Sequence, residues 1–254
     1  MKVFTRIIYL FILMMSTGSV SAQTKSTAEE PLNKNIVKIN LLSLPLGNFH
    51  VQYERPIAKK ISFGLGFRYM PEGDIPLKST IIDLIGDPDI EKQINNLKTG
   101  NLAITPEIRF YLGKHVLKGF YVAPFARYSK YTASIPYDFE VPTGPSTTRN
   151  ETIPLSGSVN TLTGGLLFGS QFKLGKMVVL DWWILGPQYG SAEGNISGKR
   201  TLNAQEQQAL RDELSTLDDL PIETNYTVDG NGALVDFKGP WAGVRAGLCL
   251  GIRF

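Results

Sequence analysis

Residues 240–254 constrain most tightly what this chain can fold into, because their side chains alternate without a break. Pro240, Ala242, Val244, Ala246, Leu248, Leu250, Ile252 and Phe254 form one series, while Trp241, Gly243, Arg245, Gly247, Cys249, Gly251 and Arg253 form the other. A period of two sets the apolar series on one face of a strand and the small or charged series on the opposite face. This is the pattern of a strand in a membrane β-barrel, and an aromatic last residue suits a lipid–water interface. Beyond the N-terminal region no apolar run reaches the length of a spanning helix. Because only helices and closed barrels satisfy their backbone groups in lipid, a membrane-spanning form of this chain is a barrel.

The N-terminus predicts export. Lys2 and Arg6 flank the start of an apolar run over 7–15, and Val20, Ser21 and Ala22 supply small residues before Gln23. That run is about half the ~20 residues a spanning helix needs. Residues 1–22 therefore read as a signal peptide, 23–35 as a periplasmic segment and 36–254 as an outer-membrane β-barrel. No cysteine follows the cleavage point to carry a lipid anchor. The formal charge of +3 falls by two when Lys2 and Arg6 are removed, which gives no basis for a nucleic-acid surface. Cys249 is the one cysteine, so no intramolecular disulfide exists, and its place in the alternation predicts a small inward-facing residue.

Eight segments carry strand patterning: 36–44, 48–57, 61–69, 101–112, 119–131, 158–172, 177–189 and 239–254. Their joints at 58–60, 113–118 and 173–176 are short, as is 45–47, whereas 70–100, 132–157 and 190–238 are long. Short periplasmic turns alternating with long outer loops, with both chain ends on one side, describe an all-β, eight-stranded, antiparallel up-and-down transmembrane β-barrel. Ile61, Phe63, Leu65, Phe67 and Tyr69 oppose Ser62, Gly64, Gly66 and Arg68, and Leu102, Ile104, Ile108, Phe110 and Leu112 oppose Ala103, Thr105, Glu107, Arg109 and Tyr111. A lipocalin-like barrel with apolar residues inside would alternate equally well. The second face, however, is rich in Gly, Ala and Ser with isolated charges, as in a crowded lumen, so the apolar face is assigned to lipid. Tyr53, Tyr69, Tyr128, Trp182, Tyr189, Trp241 and Phe254 suit interfacial girdles.

Two long loops predict short helices. Asp87 can cap a helix begun by Pro88, with Ile90, Ile94 and Leu97 as its stripe. Asn203 and Glu206 resemble a capping box ahead of Leu210, Leu214 and Leu217, with a stop near Pro221. Each stripe would pack on the barrel rim or another loop, or serve as a docking face for a protein or lipopolysaccharide.

The charges on the inward face are Glu54, Arg68, Glu107, Arg109, Arg127, Asp181 and Arg245. Side chains alone fill an eight-stranded barrel, so these groups are expected to pair into a network that plugs it, centred on Glu107 and Arg109. The alternative is a path for a small anion or a proton. His50 stands near the outer end of its strand, where a lipid A-modifying enzyme would want a histidine, but Gln52 and Glu54 follow on its face rather than a serine. His115 lies in a short turn. Neither histidine has the spacing of a metal site, and no catalytic residue, metal or cofactor is expected. Asn150-Glu151-Thr152, Asn195-Ile196-Ser197 and Asn225-Tyr226-Thr227 fit the glycosylation pattern by chance.

The runs Lys38-Ile39-Asn40-Leu41-Leu42, Gln52-Tyr53-Glu54-Arg55, Gly64-Leu65-Gly66-Phe67-Arg68-Tyr69, Pro106-Glu107-Ile108-Arg109-Phe110-Tyr111 and Gly119-Phe120-Tyr121-Val122-Ala123-Pro124 resemble the small outer-membrane barrels of Bacteroidota known as a domain of unknown function. The resemblance implies an OmpA-like or OmpX-like architecture with no catalytic residues to transfer. The expected function is that of a non-enzymatic, monomeric barrel with a charge-paired, plugged lumen. Its contacts would be outer-membrane lipid and lipopolysaccharide, and an envelope or surface protein reached through loops 70–100 and 190–238. A narrow channel or small-ligand-binding barrel is the alternative, followed by a lipid A-modifying enzyme.

Overall fold

A computed structural model describes residues 35–85, 91, 94–144, 147–215, 217 and 222–254. The signal peptide, nearly all of the segment 23–35, and Asp87, Pro88, Ile90 and Pro221 lie outside the described residues. The strands are β1 (Ile36–Asn40), β2 (Phe49–Ala58), β3 (Ile61–Asp74), β4 (Lys98–Tyr111), β5 (Gly119–Gly144), β6 (Thr147–Lys173), β7 (Val178–Lys199), β8 (Glu223–Asp229) and β9 (Gly232–Arg253). A 3-10 turn spans Leu41–Leu46, and the helices are α1 (Lys78–Ile85) and α2 (Ala204–Leu214).

Every pairing is antiparallel. Strands β1 to β7 run in sequence order, β9 follows β7, and β9 closes on β1, so eight strands form the ring. The remaining strand, β8, adds to β9 outside the ring. The alternation that predicted these strands also decides which face points inward. Phe63, Leu65, Phe67, Ile104, Ile108, Phe110, Leu250 and Ile252 are exposed on the exterior, and Phe254 is 61% exposed. Lys38, Gln52, Glu54, Ser62, Thr105, Glu107, Arg109 and Asp181 are buried inside. The lipocalin-like arrangement is thereby excluded. Cys249 is fully buried and inward-facing.

Several boundaries differ from the sequence reading. The first strand ends at Asn40 rather than at 44, because the Asn40 side chain accepts a hydrogen bond from the Leu42 amide at 3.1 Å and starts the 3-10 turn. Pro45 keeps that segment out of any ladder. Gly47, at φ +62°, ends the turn in the left-handed conformation that glycine adopts freely. Segments 132–157 and 190–238 are not simply loops. Strands β5 and β6 pair from Gly119↔Gln171 to Gly144↔Thr147, and β7, β9 and β8 extend alongside, making an open sheet beyond the ring.

Helix α2 lies on this extension. Asn203 and Glu206 form the expected capping box, with bonds of 3.0 and 2.8 Å. Leu210 packs with Phe139, Val141, Ile153, Leu202 and Val228 in a small apolar core, and Leu214 packs against it. Tyr137 donates to Glu213, while Arg149 and Arg200 pair with Glu151 and Glu206. In the segment between β3 and β4, α1 over Lys78–Ile85 is a helix that the sequence reading did not predict, while Glu91, inside the helix that it did predict, is helical. Ile94 is helical and Leu97 is not.

Candidate functional site

The period of two aims one side chain per strand into the ring at each level, so residues distant in sequence meet across it. In the lower half, beside the chain ends, Asp181 of β7 is the hub. Its Oδ2 accepts from Lys38 Nζ and Arg109 Nη1, both at 2.6 Å, and from Trp183 Nε1 at 3.1 Å; its Oδ1 accepts from Tyr121 at 2.7 Å. Arg109 also donates to Glu107 at 2.6 Å, Gln52 at 2.8 Å and Glu54 at 3.2 Å, and it lies 4.4 Å over the Tyr121 ring. Lys38 reaches Glu54 and, at 2.7 Å, Gln171, while Tyr111 donates to Glu54 at 2.6 Å. Lys38, Glu54, Arg109 and Asp181 have no exposed surface. Such charges are tolerated away from water because each carries partners on several sides.

The turn between β4 and β5 closes this end further. Leu117, at φ +63°, is fully buried in an apolar cluster with Ile36, Tyr111, Tyr121, Leu167 and Val179. Its carbonyl accepts from Gln171 at 3.2 Å.

The upper half, beside the long hairpins, is different. A cavity of about 310 Å³ is lined by His50, Arg68, Arg127 and Arg245 with Tyr131, Trp183, Gln188 and Trp241. Trp183 joins the two halves: one edge binds Asp181, His50 meets it edge-on at 5.1 Å, and Arg245 stacks on its face at 4.8 Å. Arg245 pairs with Glu107 at 3.3 Å and lies over Phe125 at 4.4 Å, with its Nε unpartnered. Arg127 uses Nε on Ser129 at 3.0 Å, and Arg68 uses Nε on Asn48 at 2.7 Å. Among the described residues, no carboxylate pairs with Arg68 or Arg127.

The seven charges read from the sequence thus divide. Glu54, Glu107, Arg109 and Asp181 enter the lower network, Arg245 links it to the cavity, and Arg68 and Arg127 line the cavity alone. Sequence reading missed Lys38, although it alternates with the outward Val37 and Ile39, and it missed the hydrogen-bonding roles of Gln52, Tyr111, Tyr121 and Gln171. Polar uncharged residues on the inward face carry no charge to mark them in the sequence, although they complete the network. His50 is 4% exposed and packs on Trp183, whereas His115 is exposed. Among the described residues no group of His, Cys, Asp or Glu has the arrangement of a metal site.

A family model described as "Protein of unknown function (DUF3575)" matches residues 8–186, more than half of the chain. The match ends within β7, so Arg245 and β9 lie beyond it. Among solved structures, the chain is similar to the translocator domain of autotransporter NalP from Neisseria meningitidis, at 11% identity and a TM-score of 0.33, covering 99% of this chain and 96% of that one. It is also similar to a major outer membrane protein from Thermus thermophilus, at 11% identity and a TM-score of 0.32, covering 87% of this chain and 98% of that one. No curated protein matches.

Proposed function

The chain belongs to the DUF3575 family of proteins of unknown function, and from that premise we propose that it is a monomeric, non-enzymatic outer-membrane barrel, sealed across its lower half and displaying its extended sheet to the cell exterior. The exterior supports the membrane assignment. A closed ring whose large apolar side chains point outward, over polar and charged ones, is stable only where hydrocarbon replaces water on the outside. The chain ends and short turns then face the periplasm. The extended sheet with α2 is the surface for lipopolysaccharide and for an envelope or surface protein.

The observation that carries the sealed lumen is the Asp181 hub, which ties β1, β4, β5 and β7 together across the interior with no exposed surface on Lys38, Arg109 or Asp181. A non-enzymatic role fits His50, whose ring packs on Trp183 rather than beside a nucleophile. Purified protein in planar bilayers is expected to pass no ion current, and cell fractionation with heat-modifiable migration on detergent gels is expected to place it in the outer membrane. Steady conductance would overturn the seal. Recovery of folded protein in detergent-free buffer would overturn the membrane assignment.

A further inference from the structure

The wall beside the upper cavity is incomplete. Strand β9 pairs with β7 along nearly its whole length, but its second edge meets β8 only over 232–238 and β1 only over 249–253. From Gly239 to Leu248 no described strand pairs with that edge. The 3-10 turn that replaces the top of β1 stands opposite. Its backbone is satisfied internally, through Gly47 N to Leu44 O and Asn48 N to Ser43 O, both at 3.0 Å.

The cavity reaches this gap. Its lining includes both alternating faces of β9, the inward Gly243 and Arg245 and the outward Ala242, Val244 and Ala246, together with Leu42 and Leu46 of the turn. One space can touch consecutive residues of a strand on both faces only by running round its free edge. Leu42 is 57% exposed and Val244 66%, so the rim is apolar and outward. Inside the rim stand Arg127 at 5% exposure, Arg245 at 6% and the half-buried Arg68. In the network and its Arg245 link, Glu54, Glu107 and Asp181 are matched by Lys38, Arg109 and Arg245. Arg68 and Arg127 are left over.

A cationic chamber with no counter-charge among the described residues, opened sideways through an apolar slot, has the chemistry of a headgroup site. We propose that this cavity binds the anionic headgroup of a membrane amphiphile, a phosphate or its equivalent, entering between the 3-10 turn and β9 with its acyl chain left along the slot. The proposal rests on the reading that the barrel exterior faces hydrocarbon. Arginine suits the task because its planar donor fork binds phosphate oxygens in pairs and is weakly hydrated. The cavity lies at the small end of ligand pockets, about 300–1,000 Å³, so it holds a headgroup rather than a whole lipid. The exposed β9 backbone supplies further donors, and irregular backbone at membrane depth is tolerated where it lines a cavity.

The test is titration of the full-length barrel in an uncharged maltoside detergent with dodecyl phosphate and, separately, inorganic phosphate, following the fluorescence of Trp183 and Trp241. Dodecyl phosphate should saturate the signal, and Arg127→Gln and Arg68→Gln should each weaken it at least tenfold. Ala246→Phe, which narrows the slot and leaves every charge in place, should weaken dodecyl phosphate and not inorganic phosphate. Heat-modifiable migration confirms that each variant is folded, and the half-buried Arg68 keeps the test open should Arg127→Gln fail to fold. Equal affinity for inorganic phosphate would overturn the membrane source, and the anion site would be overturned by the absence of a saturating response in the unsubstituted barrel or by an unchanged response in both arginine variants. Conductance of the same preparation without probe is read separately, so loss of the sealed-barrel reading is not confused with loss of this one.

Discussion

The two halves of the lumen both bury arginine and handle its charge in opposite ways. Below Trp183, carboxylates and cations interlock until every charged group has several partners; above it, arginines line open space. The lower half pulls strands together, whereas the upper half keeps room. Matched acids and bases make structure in the lower half, and the unmatched bases of the upper half are what the proposed headgroup site rests on.

This contrast can be broken most severely at the hub. Asp181→Ala takes from Lys38 and Arg109 one of the two carboxylates they share and leaves Glu54 alone between them, and loss of one partner from a buried pair typically costs about 3–5 kcal/mol. The urea midpoint in detergent should fall steeply, and an unchanged midpoint would refute the hub. Gly169→Ala is next. An added methyl would overlap the Tyr121 hydroxyl, displacing the phenol that donates to Asp181. Overpacking of this kind costs about 1–3 kcal/mol, read by the same midpoint. Arg127→Gln should have the smallest effect of the three and the opposite sign, leaving the midpoint unchanged or raising it by up to roughly 1 kcal/mol, because an unmatched buried cation is removed. A large loss there would erase the distinction between the halves.

Charges in the extended sheet give a third kind of balance, partly exposed and paired, which sharpens the comparison through pH. The Glu151 carboxyl is held below its usual range first by the hydrogen bond from Arg200, then by the charges of Arg149 and Arg200. A depressed carboxyl contributes stability above its unfolded value and loses it as pH falls through its folded one. Pepsin should therefore nick the segment around α2 increasingly at acid pH, and Glu151→Gln should show extra protease sensitivity already at neutral pH. At the alkaline end, burial and then the bond to Glu213 push the Tyr137 phenol up to about 12. Its contact with α2 is retained below the ordinary tyrosine value near 10 and lost as pH rises through the shifted one. Tyr137→Phe should loosen α2 by about 1 kcal/mol, seen as faster local proteolysis with the ring intact.

The ring was legible because a period of two is a strong signal and only one face could be buried, as residues 61–69 and 240–254 illustrate. The extension was not. Proline lacks the donor a ladder needs, yet Pro136, Pro142 and Pro154 all lie in the β5–β6 ladder, and Pro136 stands opposite Pro154, where two residues without an amide donor can face each other. Strand β8 was overlooked although Asp229-Gly230 and Asn231-Gly232 carry hairpin dipeptides. In 41–46 Leu42, Leu44 and Leu46 keep a period of two that imitates a strand, and the stop lies in the side chain of Asn40 and in Pro45. The charged cluster was visible residue by residue, but its division was not, because pairing depends on level around the ring, which alternation does not encode.

The ladder between β1 and β9, running only from Ile36↔Arg253 to Asn40↔Cys249, bears on the order of assembly. Every other junction of the ring joins neighbours along the chain or is reached through β8, whereas this latch must bring the two extremities together and carries the greatest loop-closure entropy. The curved sheet can form hairpin by hairpin and wait, with its first and last strands as the final clasp. Hydrogen exchange in the finished barrel should find the amides of β1 the quickest to open and those of the long β5–β6 hairpin the slowest.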